Sequence, residues 1–280
     1  MKQGRPGGES KVTIISPGAP GWNERWRELW QYRELLWVLT LRDIKVRYKQ
    51  TLLGAAWAII QPLAAMVVFS VFFGRLAGIP SDGYPYPVFV YSALLPWTLF
   101  ANGVSTASSS MLGAVNMIQK VYFPRLHIPL ASIGALCIDY LVASIVLFVL
   151  MAIYGIPVTW NLIAIPVLTL GVILTTLGVG ILLAALNVTY RDFRYVVPFM
   201  VQIWLFLTPV VYGKSLVPEQ WQWVLFLNPM AGIVDGFRAA YLGQPFDLPM
   251  IGLSLLTATV LFVVGIAVFE ATESRFADVI

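Results

Sequence analysis

Residues that could carry catalytic chemistry are scarce in this sequence. It contains one histidine, His127, and one cysteine, Cys137. A Ser-His-Asp arrangement would have to use His127, which lies close to two prolines at the edge of an apolar stretch. A single cysteine cannot form an intramolecular disulfide, and a single histidine argues against a metal site built on imidazole ligands. We therefore assign no catalytic and no metal-binding residues, and we predict that the chain is not an enzyme.

Motifs that would bind phosphates or sugar nucleotides are incomplete. Gly213-Lys214-Ser215 has the last three residues of a phosphate-binding loop, but Thr208 stands where that motif requires its first glycine. No strand-loop-helix pattern surrounds it. The sequence also lacks two aspartates at D-x-D spacing, which would hold a metal-bound sugar nucleotide. We expect no nucleotide site in this chain, so the energy for any driven process must come from another protein.

One acidic residue stands inside an apolar stretch. Asp139 lies near the middle of the third such stretch, residues 129–154. A carboxylate at membrane depth is costly, so it is a candidate functional group by default. It could equally be structural, either protonated or hydrogen-bonded to a neighbouring helix. The sequence leaves these two interpretations open, although the lack of a second acid or histidine nearby disfavours a proton relay.

Aromatic and small polar residues are concentrated in the second apolar stretch, with a further aromatic group in the fifth. Aromatic rings can stack on sugar faces without fixed hydrogen bonds, and small polar residues can line a hydrated path. Ordinary packing or an interfacial aromatic belt is the alternative. We predict that some of these residues face a conduit, and the candidates are Tyr91, Trp97, Phe100, Asn102 and Trp204.

Six long apolar stretches would position these residues. A bilayer core of about 30 Å requires about 20 apolar residues of helix, and each stretch is close to that length. Hydrophobic residues make up 59% of the chain and charged residues only 11%, with a mean hydropathy of +0.79. The sequence therefore predicts an all-α integral membrane protein with six transmembrane helices, over residues 52–73, 88–112, 129–154, 162–186, 196–212 and 250–269.

The basic residues are unevenly distributed between alternate connecting segments. Fifteen of the 18 Lys and Arg residues fall on the side of the N-terminal segment, and Arg75, Lys214 and Arg238 fall on the other. The positive-inside rule then places both termini in the cytoplasm. Because this asymmetry explains the net charge of +4, we expect no nucleic-acid partner.

The sequence divides into three regions, and two further segments interrupt the spans. Residues 1–21 predict a flexible lead, residues 22–51 an amphipathic helix, and residues 52–280 the transmembrane domain. The amphipathic helix has an aromatic, apolar side and a basic side, which suits the membrane surface; a solvated charged helix is the alternative. Residues 117–123 predict a short helix that Pro124 ends. Residues 218–242 are apolar but divided by Asn228-Pro229, which favours two re-entrant half-helices over a surface-lying pair.

Five ordered motifs resemble one family of transporters. They are LTLRDIKVRYKQTLLGAAWAIIQP (39–62), LLPWTLFANGV (94–104), NMIQKVYFPRLHIPLA (116–131), NVTYRDFRYVVPFMVQIWLFLTPVVY (187–212) and LNPMAGIVDGFRAAYLG (227–243). The chain resembles the membrane subunits of type-two ABC exporters for polysaccharides and polyol phosphates, which include the O-antigen, capsule and teichoic-acid export permeases. A permease of this kind lies in the bacterial inner membrane.

The resemblance implies partners and roles. The chain would form a homodimer and pair with two copies of a cytoplasmic ATPase, which would bind ATP and magnesium, so no cofactor is expected in this chain. It would export a lipid-linked polysaccharide such as O-antigen. Residues 22–51 would be the interface helix, residues 117–123 the coupling helix, and residues 218–227 and 230–242 two external gate helices before the last span.

Two groups of residues follow from these roles. The ATPase contacts would be Lys120, Val121, Tyr122, Phe123, Pro124 and Arg125. Arg42, Lys45, Arg47 and Lys49 on the interface helix would attract either a pyrophosphate lipid headgroup or anionic membrane lipids nonspecifically. An ABC efflux permease for small hydrophobic molecules is the alternative function, and a membrane glycosyltransferase is disfavoured because it would need the missing D-x-D acids.

Overall fold

A computed structural model describes residues 22–49, 56–190 and 192–279. These residues form helices and connecting turns, with no strand among them, which confirms the all-α class. The α-helices are α1 (Trp22–Gln31), α2 (Arg33–Lys49), α3 (Trp57–Phe69), α4 (Tyr86–Gly113), α5 (Val115–Ile118), α6 (His127–Ser132), α7 (Gly134–Ile153), α8 (Ile165–Thr189), α9 (Phe193–Leu207), α10 (Gln222–Leu227), α11 (Pro229–Leu242) and α12 (Leu248–Val279). The predicted lead and the junction between the interface helix and the first span lie outside the described residues.

Five helices in the described part of the chain are long and apolar enough to cross a membrane. They are Trp57–Leu76, Tyr86–Gly113, His127–Ile153, Trp160–Thr189 and Leu248–Glu273. The first consists of α3 and the π-helical segment that continues it, and the third combines α6 and α7. The five coincide with five of the six predicted stretches. The protein is therefore a multi-pass membrane protein.

The fifth predicted span is shorter than expected. Instead of extending over residues 196–212, the helix is α9, Phe193–Leu207, with 15 residues. At about 1.5 Å per residue it rises roughly 22 Å, less than the core of a bilayer. The reason is Pro209, because the residue before a proline avoids helical backbone angles. Thr208 is accordingly extended, with ψ of 136°.

The centre of the bundle is built from α4, α8 and α12, which approach one another at small residues. A Cβ atom added to Gly103 of α4 would lie 2.3 Å from the Thr176 methyl group of α8. One added to Gly265 of α12 would lie 2.4 Å from the carbonyl oxygen of Gly178 in α8. Small residues let membrane helices pack backbone against backbone. This packing fixes the frame on which the other helices sit.

The predicted interface helix is divided in two. α1 ends at Gln31 and α2 begins at Arg33, and α2 packs along α6 and α7. A Cβ atom on Gly134, at the start of α7, would lie 2.3 Å from the Thr40 methyl group. Trp30 and Trp37 remain exposed, at 70% and 63%. α2 is thus attached to the bundle along its length while its tryptophans face outward.

The helix predicted over residues 117–123 is wrong in its bounds. Helix α5 covers only Val115–Ile118, a turn follows at Gln119 and Lys120, and residues 121–124 are not helical. Pro124 disfavours helical angles at the residue before it, which explains why the helix does not reach Phe123.

The two helices before the last span differ in burial. Every residue of α11, from Pro229 to Leu242, is buried against its neighbours, which include α12, α4 and α8. The re-entrant course of α11 stays a prediction. By contrast, α10 exposes Trp223 and Leu227, at 56% and 66%. Asn228 begins α11 by accepting a hydrogen bond from the Met230 amide, and Gly243 ends it in the left-handed conformation, with φ of 72°.

Candidate transport site

A cavity of about 200 Å³ with several polar groups on its wall lies among α2, α3, α4 and α7. Its lining combines charged, amide, hydroxyl and aromatic side chains in an otherwise apolar bundle. The lining residues that the structure describes are Arg47, Tyr48, Trp57, Ala58, Gln61, Pro62, Thr98, Leu99, Asn102, Leu136, Asp139, Tyr140 and Ala143. A concave site with a few convergent polar groups is the ordinary form of a ligand pocket. Asn102 and Asp139, both predicted as site residues, meet in this cavity.

Asp139 is held by two residues of α2. The Nη2 atom of Arg47 lies 2.6 Å from Oδ2 of Asp139, and the Tyr48 hydroxyl donates a hydrogen bond to Oδ1. The Asp139 side chain is only 17% exposed. Burial and then the hydrogen bond to Asp139 raise the pKa of Tyr48 to about 12, so its hydroxyl stays a donor at neutral pH. The carboxylate thus has both an ion pair and a hydrogen bond, which connect α2 to α7.

The predicted conduit aromatics lie mainly inside the chain. Tyr91 is fully buried and its hydroxyl donates to the Ala143 carbonyl oxygen at 3.1 Å. Trp97 and Phe100 are 4% and 0% exposed. The ring centroid of Phe100 lies 5.3 Å from that of Trp97 and 5.1 Å from that of Trp204. Tyr91, Trp97 and Phe100 are therefore packed in the interior, and Asn102 is the predicted conduit residue that lines the cavity.

Trp204 also joins the end of α9 to the start of α11. Its indole Nε1 donates to Oδ1 of Asn228 at 3.0 Å, and Nδ2 of Asn228 donates to the Leu207 carbonyl oxygen and to the Thr208 hydroxyl. One amide side chain thus closes the first turn of α11 and also satisfies the last turn of α9. Movement of α9 would consequently be transmitted to α11.

A second polar group lies at the N-terminal end of α4. Arg238 of α11 is 1% exposed, its guanidinium carbon lies 3.8 Å from the Phe89 ring centroid, and Nη2 donates to the carbonyl oxygens of Pro209 and Val210 at 2.9 and 3.0 Å. An arginine can stack on an aromatic face while its planar group donates several hydrogen bonds. It therefore fixes the segment after α9 against α11.

Lys214 bridges two aspartates close to this arginine. Its Nζ atom lies 3.0 Å from Oδ2 of Asp235 and 3.0 Å from Oδ2 of Asp247. Burial alone would lower the pKa of Lys214, but the hydrogen bonds and charges of the two aspartates outweigh it and raise the pKa. The hydrogen bond from Lys214 lowers the pKa of Asp247. The bridge joins the segment after α9 to α11 and to the start of α12.

We expect acid to weaken this bridge measurably. Because the folded pKa of Asp247 is depressed, its contribution to stability is complete above the ordinary pKa of an aspartate, about 4, and is lost as pH falls through the folded value. The melting temperature of the purified protein should fall over this acidic range, and Asp247→Asn should flatten that dependence. Asp192→Asn, at an exposed aspartate, is the control. An unchanged acid profile in Asp247→Asn would contradict the assignment.

The six predicted ATPase-contact residues divide by exposure. Val121 and Tyr122 are 57% and 64% exposed, and Lys120 is also exposed. Phe123 is only 5% exposed, and Pro124 is half-buried. Nη1 of Arg125 donates to the Glu273 carbonyl oxygen at 2.6 Å, which ties the loop to α12. The loop therefore offers Lys120, Val121 and Tyr122 outward, while its second half fixes it to the bundle.

The four basic residues of α2 also have different surroundings. Arg42, Lys45 and Lys49 are exposed, and Arg42 lies 2.8 Å from the neighbouring carboxylate of Asp43. Arg47 is also exposed, at 41%, but its guanidinium pairs with Asp139. A basic surface for lipid headgroups on this helix therefore rests on Lys45 and Lys49, with Arg42 partly neutralised.

Sequence comparison places this architecture in a known family. The ABC-2 type transporter family matches residues 34–242, about three-quarters of the chain. The chain belongs to the ABC-2 type transporter family. As a member of a transporter family it is a transport component rather than a catalytic enzyme. The matched region of this ABC-2 transporter chain extends from the second residue of α2 to the last residue of α11, so it contains the whole cavity.

Similarity to individual proteins covers nearly the full length. The chain is 30% identical over 258 residues to an O-antigen export system permease protein RfbA of Myxococcus xanthus, which covers 90% of this chain and 97% of that protein. It is 28% identical over 248 residues to an RfbA of Klebsiella pneumoniae, covering 88% and 95%. The polysialic acid transport protein KpsM of Escherichia coli is 24% identical over 253 residues, covering 84% and 92%.

The sequence did not reveal what four residues of these sites do. It found Asp139 but not its contacts with Arg47 and Tyr48, and it did not assign roles to Arg238 or Lys214. An i, i+1 pair such as Arg47-Tyr48 carries no signal for a carboxylate 91 residues away. A usable signal existed for Arg238, because an arginine within an apolar segment requires nearby acceptors.

Proposed function

We propose that this chain is the membrane subunit of an ATP-driven exporter that moves a lipid-linked polysaccharide, O-antigen or a similar glycan, from the cytoplasm across the bacterial inner membrane. The similarity to O-antigen export permeases, which extends along 90% of this chain at 30% identity, carries the proposal. A cavity with aromatic and amide groups on its wall supports it.

Deletion of the gene in its host tests this function. Polymer should disappear from the cell surface and accumulate inside the cell, and a plasmid copy of the gene should restore surface polymer. Immunoblots of surface and cytoplasmic fractions measure both pools. Surface polymer that is unchanged by the deletion would contradict the proposal, and a loss of drug resistance in its place would favour the small-molecule efflux alternative.

We infer that α9 is the sixth span and that both termini lie in the cytoplasm. Five spans alone would place the two ends of the chain on opposite sides, whereas a sixth crossing restores the side that the basic residues favour. Exposed apolar side chains on α9, among them Phe199, Ile203 and Phe206, suit an apolar environment. A short helix can cross where the bilayer is locally thin or where protein lines its end.

We further propose a homodimer with a shared conduit. α3 and α9 expose their apolar side chains more fully than α4 and α8 do: Val67 and Phe72 on the first span are 54% and 58% exposed, and Phe199 on α9 is 63% exposed. A second copy and lipid would together cover these faces. In this arrangement α10 and α11 form the external gate, and the Asn228 contacts to α9 link the gate to the conduit wall.

Nucleotide hydrolysis is assigned to a separate ATPase, two copies per dimer, which would bind ATP and magnesium. The ATPase would contact the loop that follows α5, through the exposed side chains of Lys120, Val121 and Tyr122. Displacement of this loop would act on α12 through Arg125, whose hydrogen bond to Glu273 joins the two. The interface helices α1 and α2 would move with it.

A double substitution at this loop tests the docking role. Val121→Asp with Tyr122→Asp places two charges on an exposed apolar contact, so co-purification of the ATPase should fall by at least about tenfold, equivalent to about 1.4 kcal/mol. Membrane insertion should be unaffected because neither side chain is buried. Phe123 is left intact because its burial would turn an acidic substitution into a folding defect.

The matched control is Val158→Asp, at an exposed valine (71%) in the loop between α7 and α8. That variant should retain the ATPase. Full recovery of the ATPase with the Val121→Asp/Tyr122→Asp protein would refute docking at this loop.

A further inference from the structure

The cavity under α2 contains polar groups that the protein itself leaves unused. Among the described residues, the side-chain amides of Gln61 on α3 and Asn102 on α4 make no hydrogen bond, although both line the cavity. An amide offers two donors and one acceptor, and here Gln61 is exposed and Asn102 half-buried. These groups are therefore available to a ligand or to water that a ligand would displace.

The charges of the cavity favour a neutral ligand. Arg47 and Asp139 are the charged residues among its described lining, and their side chains lie 2.6 Å apart. The pair makes the wall neutral overall, so an anion would have to compete with the Asp139 carboxylate for Arg47 and would be repelled by it. A pyrophosphate is for this reason poorly matched to the cavity, in contrast to the headgroup role that the sequence allowed for Arg47.

The remaining groups match the chemistry of a sugar ring. Hydroxyl groups of a sugar can donate to and accept from amides and carboxylate oxygens, and the apolar face of the ring can lie against an indole. Trp57 supplies an indole that is 54% exposed at the cavity wall. The volume of about 200 Å³ equals roughly six or seven water molecules, which suits one small ring rather than a polymer segment.

We propose that this cavity binds one neutral sugar unit of the exported polysaccharide, with Gln61 and Asn102 hydrogen-bonding its hydroxyls and Trp57 covering its face. The proposal rests on the polysaccharide export function above and adds to it a site in each subunit. The occupant would contact α2, α3, α4 and α7 together. A bound sugar would therefore contact both α2 and α7, the two helices that the Arg47–Asp139 ion pair joins.

Saturation-transfer NMR on the full chain in lipid nanodiscs tests this site. The probe is the host's own polysaccharide, released from its lipid and pyrophosphate by mild acid. The unmodified chain should show transfer to sugar protons. Asn102→Leu and Gln61→Leu should each weaken binding by about tenfold, as expected for the loss of one or two hydrogen bonds to the sugar. Thr257→Val, at an exposed position of α12 away from the cavity, should bind normally.

Three outcomes would overturn the proposal: no transfer to the unmodified chain, unchanged binding by both variants, or displacement of the probe by undecaprenyl pyrophosphate that carries no sugar. The last result would identify a phosphate site. Gln61 lies on an exposed face, so Gln61→Leu keeps the test valid should Asn102→Leu fail to fold. If deletion of the gene abolishes export while both variants bind normally, only the sugar site fails and the export function stands.

Discussion

Gly265→Ala is expected to destabilise the protein by about 3 kcal/mol or more, the upper range for overpacking a rigid contact. The added methyl group would lie 2.4 Å from the Gly178 carbonyl oxygen, and the facing backbone cannot move aside as a flexible side chain would. Gly178 makes the reciprocal contact, since its own Cβ would lie 2.6 Å from the backbone of Leu261 and Phe262. α8 and α12 would have to separate, and the melting temperature in detergent should drop markedly.

The control for this substitution lies on the same helix. Gly252→Ala adds the same methyl group to α12, but no atom lies within 4 Å of it. That variant should melt at or slightly above the temperature of the unmodified protein, because alanine favours a helix more than glycine does. Equal melting temperatures for the two variants would show that α8 and α12 are not in backbone contact.

Arg238→Met is expected to cost at least about 2 kcal/mol, because two buried carbonyl oxygens lose their hydrogen-bond donor at about 1–3 kcal/mol each. The methionine can fill much of the volume but cannot replace the hydrogen bonds to the Pro209 and Val210 carbonyl oxygens, nor the guanidinium contact with Phe89. Arg238→Lys should recover only part of the loss, because an ammonium group lacks the planar fork. Melting temperature and the yield of monodisperse protein measure the effect.

Arg75→Met is the matched control for Arg238→Met. Arg75 is exposed at the end of the first span, so its replacement should change the melting temperature little. A similar small change in Arg238→Met would mean that the segment after α9 is not held by this guanidinium. The segment after α9 would then need another attachment to α11.

Hydropathy was sufficient to locate the membrane helices because length and composition alone determine which segments suit a bilayer. Five predicted stretches agree with five helices in the structure, with ends that differ by a few residues. The predicted helix bounds are wrong where local backbone preferences determine the end of a helix. Pro209 shortens α9 and Pro124 excludes Phe123 from a helix, and both effects are visible in the sequence once the residue before a proline is considered.

The contacts that make the sites were less accessible to sequence reasoning. Asp139 was recognisable as a costly group in an apolar helix, but the choice of Arg47 depends on how α2 lies along α7. The aromatic residues were assigned to an open path, whereas Tyr91 and Phe100 are fully buried. Periodicity shows that a residue is apolar and membrane-embedded; it does not show whether protein, lipid or substrate covers it.

Two groups of contacts hold the connecting segments to the bundle. Arg125 joins the loop after α5 to α12, and the Arg47–Asp139 pair joins α2 to α7. Asn228, Arg238 and Lys214 form the second group. Trp204 of α9 contacts both Phe100 on α4 and Asn228 at the first turn of α11.

Reconstituted transport tests the central claim most directly. The purified chain and its ATPase would be placed in proteoliposomes with lipid-linked polysaccharide in the outer leaflet and the ATPase facing outward. ATP should move polymer into the lumen, where it becomes protected from an added glycosidase, and omission of either subunit should abolish protection. ATP hydrolysis without protected polymer, or equal protection when this chain is left out, would contradict the account.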